Sequence, residues 1–278
     1  MSNIRLIVSD VDGTLLSPDH QLTGSVKEAV RRFTEAGGLF TIATGRPSLT
    51  VRSVVDELEL KVPQILCNGA VIADTDRVWE TTPLEVADLA AVMKEADRLG
   101  ITVLLFQEDG IRALRRTDAL DRFEHKERIA CELLDPESDE WTQWSVQKLL
   151  FIGEMTGIRR LWSDHSPLFR ESYATFQSED DFWEIVPGEQ SKGEALRRLM
   201  AHLELKPEQV MAIGNQMNDL DMIELAGIGV AVGNSHPDLM ERADYVCSAH
   251  YGEGVVEAIE RFGLGREAAT ASKEVPAS

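Results

Sequence analysis

Apolar residues recur along this chain in two alternating rhythms. Residues 4–9, IRLIVS, form a short apolar run bounded by turn residues, which predicts a buried strand. Residues 23–38, TGSVKEAVRRFTEAGG, follow with helical spacing and stop at a double glycine. Residues 39–44, LFTIAT, predict the next buried strand, and GRP breaks it. Residues 48–60 are again helical, and 63–73, PQILCNGAVIA, predict a third strand with a turn at Asn68–Gly69. Alternating strands and helices argue for parallel βαβ units in a doubly wound sheet.

The rhythm changes at residue 82. Residues 82–100 predict a helix, with Thr82 as N-cap, Pro83 in the first turn and Glu85 completing a capping box. ITVLLF and IRALRR flank QEDG, a hairpin signal, and a helix is predicted over about 117–130. After an acidic loop at 135–145 come a strand at 147–153 and a helix at about 157–169. SYATFQS and FWEIV flank EDD as a second hairpin. This order predicts a small α+β domain at 82–186. The parallel pattern resumes with a helix at 191–203, opened by a Ser191–Glu194 capping box, and strands at 210–214, 227–232 and 245–247. The expected architecture is therefore α/β. A doubly wound parallel-sheet core at 1–81 and 187–265 is interrupted by an α+β insertion at 82–186. Residues 266–278 are small, polar and unpatterned and are expected to fray.

Composition narrows the function. The 278 residues suggest about two domains. With 43 % hydrophobic and 27 % charged residues, the chain has a globular composition. The net charge of −20 repels phosphate backbones, so neither nucleic acid nor an anionic membrane is expected as a partner. An anionic substrate would need positive charge supplied locally. Cys67, Cys131 and Cys247 are scattered and form no CxxC pair, so neither a zinc site nor a disulfide frame is expected. The first apolar run carries Arg5 and Asp10 and is not read as a leader; no run reaches the ~18 apolar residues of a membrane span. The expected location is the cytoplasm.

In open parallel sheets, ligands bind beyond the carboxyl ends of the strands. Asp10 and Asp12 follow the first predicted strand. Thr44, Gly45 and Arg46 follow the second, and Asn68 and Gly69 mark the third. Asn215, Asn218 and Asp219 follow VMAIG. Lys192 opens a helix, where the positive end of the helix dipole disfavours it. An aspartate at a strand end is often only a turn former. What carries weight is the recurrence of polar residues at one end of a Val-, Ile- and Leu-rich sheet. Trp141, Trp144, Trp162, Phe182 and Trp183 are read mainly as core residues, and His20 as a solvated loop histidine.

DVDGTLL (10–16), ATGR (43–46), SKG (191–193) and GNQMND (214–219), in that order, resemble the four motifs of the haloacid dehalogenase superfamily. The insertion between the second and third motifs is similar to the Cof-type branch with a type IIB cap, as are CNGA (67–70) and EIVP (184–187). The resemblance covers about residues 3–262. It implies phosphoryl transfer through an aspartyl-phosphate, with Asp10 as nucleophile and Asp12 as general acid and base. It also implies Thr44 and Lys192 as phosphoryl-binding catalytic groups, and Gly13, Gly45, Arg46, Asn68, Gly69 and Asn218 as substrate contacts. Mg²⁺ is the implied cofactor, held by Asp10, the Asp12 carbonyl, Asn215 and Asp219. The chain departs from the family at Asn215, where an aspartate is usual, and weaker metal binding is the expected consequence. The expected activity is Mg²⁺-dependent hydrolysis of a small phosphorylated metabolite, a sugar phosphate or phosphorylated cofactor. The alternatives are a hexose-phosphate mutase, or a catalytically weak phosphometabolite-binding protein. Oligomeric state is not legible in the sequence.

Overall fold

Five short strands make one sheet in the order Tyr245–Val246, Ile228–Ala231, Val210–Gly214, Leu6–Ser9, Leu39–Ile42. The structure, a computed structural model, describes residues 3–265. The expected tail at 266–278 lies outside them. Leu6 stands opposite Val210 and Ser9 opposite Ile213 in a parallel ladder. Ile228–Ala231 and Tyr245–Val246 extend the ladder in parallel. Leu6, Ile7 and Val8 are all fully buried. Burial on both faces is why such runs read as continuously apolar rather than alternating. Thr23 caps helix Gly24–Glu35 by accepting the Val26 N–H.

Residues 3–41 with 204–265 form one compact unit, and residues 42–203 form the other. The changes of rhythm at 82 and 187 lie inside the second unit.

Within that unit, the stretch 63–73 is two strands rather than one. Gln64–Leu66 runs antiparallel to Val71–Ala73, which pairs in turn with Val78–Thr81. The reversal occurs at Cys67, Asn68 and Gly69, all with positive φ (50°, 52° and 100°). Asparagine and glycine tolerate that conformation best.

A six-stranded sheet follows, in the order Tyr173–Glu179, Phe182–Pro187, Lys148–Ile152, Thr102–Gln107, Gly110–Ala113, Glu132–Leu133. Its strands alternate between two cores. Val103, Leu105, Leu149, Phe151 and Ile185 pack with residues of helices Val86–Arg98 and Met155–His165. Leu104, Phe106, Leu150, Ile152 and Phe182 pack with Leu120 and Phe123 of helix Asp118–Glu127. Trp141 is buried in the first core, Trp144, Trp162 and Trp183 pack against it, and Phe182 lies in the second.

Thr82 does not cap a helix. Its N–H bonds to the Ala70 carbonyl, and Leu84–Glu85 is a short strand paired with Ser145–Val146. That pairing and the burial of Leu84 hold the segment extended, so the helix begins only at Val86. The helix expected from about 157 starts at Met155, because Glu154 accepts the N–H groups of Thr156 and Gly157. It ends at His165, two residues before Pro167.

Candidate active site

In the first unit, Asp10 leaves the sheet still in register. Its N–H bonds to the Ile213 carbonyl at 2.8 Å, and the residue is only 5 % exposed. The chain then makes one wide turn over Val11–Leu15, which carries Asp12 and Gly13 out of helical geometry. Gly13 has φ +78°, and a Cβ there would collide with the Asn215 side-chain amide. The neighbouring strand Val210–Gly214 delivers Asn215, whose Oδ1 accepts a 3.1 Å bond from Thr14 Oγ1. Asn234, which sequence reasoning missed, donates to the Gly13 carbonyl at 2.8 Å. The first and fourth motifs therefore meet through Gly13, Thr14 and Asn215.

Asp219 is fully buried, and its Oδ2 accepts the N–H groups of Asn215 and Gln216 at 2.9 and 3.0 Å. It holds the Asn215 backbone in place. Asn218 sits half-buried in the same turn. Asp12 is more open. His20 Nδ1 stands 3.6 Å from its Oδ1, with side chains 53 % and 42 % exposed. His20 is thus exposed as expected, but placed beside Asp12, and so open a pair contributes little to stability.

In the second unit, two loops are laced together. Thr44 N–H donates to the Ile65 carbonyl, Asn68 N–H to the Thr44 carbonyl and Cys67 N–H to the Arg46 carbonyl, at 2.9, 3.0 and 3.1 Å. Thr44 Oγ1 accepts the Arg46 N–H at 3.1 Å. The Arg46 guanidinium lies 3.7 Å from Glu127 Oε2 and donates to the Thr50 carbonyl. Gly69 abuts the start of helix Lys192–His202 so closely that a Cβ would run into the Ser191 carbonyl. Arg198 donates to the Gly69 carbonyl at 2.8 Å. Ser191 caps the helix by accepting the Glu194 N–H, whereas the Glu194 side chain turns to Arg197, leaving half of the expected capping box. Lys192, the first residue of that helix, is 1 % exposed. Lysine is almost never buried so fully unless it is paired, and the dipole opposes it here.

Residues 7–259 match the family described as haloacid dehalogenase-like hydrolase. The chain belongs to this family. It is 29 % identical to the protein named "Putative phosphatase YxeH" of Bacillus subtilis, over 94 % of this chain and 99 % of the relative. It is 29 % identical to the HMP-PP phosphatase of Escherichia coli O157:H7, over 84 % of this chain and 86 % of the relative. A solved haloacid dehalogenase-like hydrolase from Bacteroides thetaiotaomicron superposes with a TM-score of 0.85 at 27 % identity, over 93 % and 99 % of the two chains. This hydrolase is an enzyme of the phosphatase kind.

Two further residues of the hydrolase were not singled out as site candidates by sequence reasoning, although Glu184 opens the EIVP motif. Lys148 Nζ donates to the Gly45 carbonyl at 2.8 Å and lies 3.2 Å from Glu184 Oε1. Glu184 Oε2 accepts a 3.0 Å bond from Asn68 Nδ2. The available signal was a single charge at the start of one apolar strand run and another in the middle of a second.

The three cysteines are poor nucleophiles. Burial pushes the thiols of Cys67, Cys131 and Cys247 each up to about 12. For Cys67, Glu184 adds to the rise and Lys148 opposes it. The thiolate is the reactive form. We therefore expect the native hydrolase to resist iodoacetamide at pH 8 and to take up three labels only after unfolding, counted by mass spectrometry. Rapid labelling of Cys67 in the native protein would contradict its burial.

Among the described residues, no helix is long and apolar enough to cross a membrane.

Proposed function

We propose that this hydrolase removes phosphate from small phosphomonoesters, with the phosphoryl group carried briefly on Asp10. The observation that carries this reading is the placement of Asp10, a buried carboxylate at the end of a parallel strand, packed beside the turn that brings in Asn215. Asp10 attacks phosphorus, and a phosphoenzyme forms as the ester oxygen departs. Asp12 gives that oxygen a proton and then takes one from the water that hydrolyses the intermediate, two displacements with lower barriers than one. Its exposure suits a proton shuttle, because the group must reach both leaving alcohol and water. Thr44 Oγ1 and the N–H groups about Gly13 and Gly45 bind phosphoryl oxygens. Lys192 supplies fixed positive charge in a chain of net charge −20.

The donors suit a hard cation. Asp10 carboxylate, Asp12 carbonyl and Asn215 amide are all oxygen ligands, and an amide oxygen has a lone pair beyond the one that Thr14 engages. Among the described residues, no group of three or more His, Cys, Asp or Glu side chains could hold a metal; the proposed set draws on amide and backbone oxygens as well. Mg²⁺, when bound, would offset the repulsion between a phosphate dianion and a carboxylate. Asp219 contributes its charge and its grip on Asn215. The Asn215→Asp variant is expected to lower the Mg²⁺ concentration for half-maximal phosphate release by about tenfold, roughly 1.4 kcal/mol. An unchanged requirement would show that the amide already serves fully.

Arg46, Asn68, Gly69 and Asn218 border the leaving group in this reading, and residues 82–186 set the choice of substrate. A sugar phosphate or a phosphorylated cofactor fits best, in the cytoplasm. The relative named for HMP-PP supports a small phosphorylated metabolite. A panel of sugar phosphates and phosphorylated cofactors, assayed for phosphate release with and without Mg²⁺, tests it. No release from any member, p-nitrophenyl phosphate included, would overturn the proposal.

A further inference from the structure

Two charges stand on a mostly apolar sheet face. Lys148 opens strand Lys148–Ile152 opposite Phe106, and Glu184 pairs with Leu150 one strand over. Their neighbours on that face are Leu104, Phe106, Leu150, Ile152 and Phe182. The two side chains are 4 % and 7 % exposed. Lys148 Nζ lies 4.7 Å from the centre of the Phe106 ring. Glu184 Oε1 also accepts a 2.9 Å bond from Ser178 Oγ.

A buried ion pair is a weak device for stability, because apolar replacement of both partners is often neutral or better. Something else must account for the pair, and the contact of Lys148 with the Thr44–Arg46 turn suggests what. Lys148 bonds to the Gly45 carbonyl, and that carbonyl shares a rigid peptide plane with the Arg46 N–H. The Arg46 N–H in turn donates to Thr44 Oγ1. A cation on the carbonyl polarises the peptide and strengthens its N–H as a donor. With one oxygen lone pair taken by that N–H, the hydroxyl must give its single proton in another direction. The turn has little room to shift, since a Cβ on Gly45 would lie 3.1 Å from both Asn68 Nδ2 and Glu184 Oε2.

We propose that Lys148 is a positioning residue for Thr44, acting through the Gly45–Arg46 peptide, with Glu184 and Asn68 fixing its ammonium group. Lys148 touches no reacting atom. It sets the direction in which the Thr44 hydroxyl donates to a phosphoryl oxygen, and so deepens the phosphoryl-transfer reading on which it rests.

A double-mutant cycle tests it. Lys148→Met alone would strand Glu184 as a buried charge, so the variant is Lys148→Met with Glu184→Gln, checked by thermal unfolding. In the Thr44 background this pair is expected to lower kcat/KM about tenfold. In a Thr44→Ala background the same pair is expected to change kcat/KM less than twofold, because no hydroxyl remains to direct. A purely structural role would give the same factor in both backgrounds, and that result, or no loss in either, overturns the proposal. If the pair does not fold, Lys148→Gln, which keeps a donor for Glu184, carries the same cycle. Inorganic phosphate binding by calorimetry gives a second readout, with an expected tenfold weakening that disappears in Thr44→Ala. Should the protein bind phosphate but hydrolyse no ester, the proposed activity fails while the binding cycle still decides the role of Lys148.

Discussion

Replacing Asp10 with asparagine is expected to leave a folded protein whose phosphate release falls by about 10⁴-fold or more. The backbone link that seats the residue, Asp10 N–H to the Ile213 carbonyl, does not use the side chain. Asparagine is nearly isosteric and removes a charge from a buried position. Relieving that desolvation should hold the unfolding midpoint steady or raise it, as happens when catalytic strain is removed. The loss would fall on turnover, since an amide does not form an acyl phosphate. Phosphate release measured beside thermal unfolding checks both halves. A variant that keeps a tenth of the native rate would remove Asp10 from the role of nucleophile.

Lys192→Met is the second large effect. Methionine keeps most of the volume and none of the charge. If Lys192 faces the phosphoryl group, kcat should drop by about 10²–10³-fold, the usual loss on removing one preorganised electrostatic partner. Orthophosphate, expected to compete as the product, should inhibit at least about tenfold more weakly. An unchanged inhibition constant would reduce Lys192 to a structural cation held at the head of its helix.

The candidate site residues that stand out most in the sequence are those where a charge interrupts a local rule. Asp10 ends an apolar strand and Lys192 opens a helix against its dipole, so each stood out within a window of ten residues. The Asn68–Gly69 turn was visible too, but its consequence was not. Positive φ at three successive residues reverses the chain and makes an antiparallel pair of what read as one strand. Thr82 matched the capping pattern, which lost to the pairing of Leu84–Glu85 with residues 145–146, a partner that no local window contains. The pairing of Lys148 with Glu184 stayed hidden for the same reason. The Lys148 ammonium answers to a carbonyl 103 residues away in the chain. His20 was legible as exposed, but its approach to Asp12 depends on the turn closed by its own N–H to the Ser17 carbonyl.

The pairing of Leu6 with Val210 has a consequence for the birth of the protein. At a ribosome's pace of roughly 5–20 residues per second, the first strand is made about 10–40 s before this one of its two neighbours exists. Residues 42–203 leave the tunnel with all their own strand partners already present. Throughout that wait IRLIVS has a strand partner on one side only, Leu39–Ile42, and its other edge stays open and sticky. Nascent chains stalled before residue 210 should therefore recruit chaperones at their amino terminus, and those released with residue 265 in hand should not.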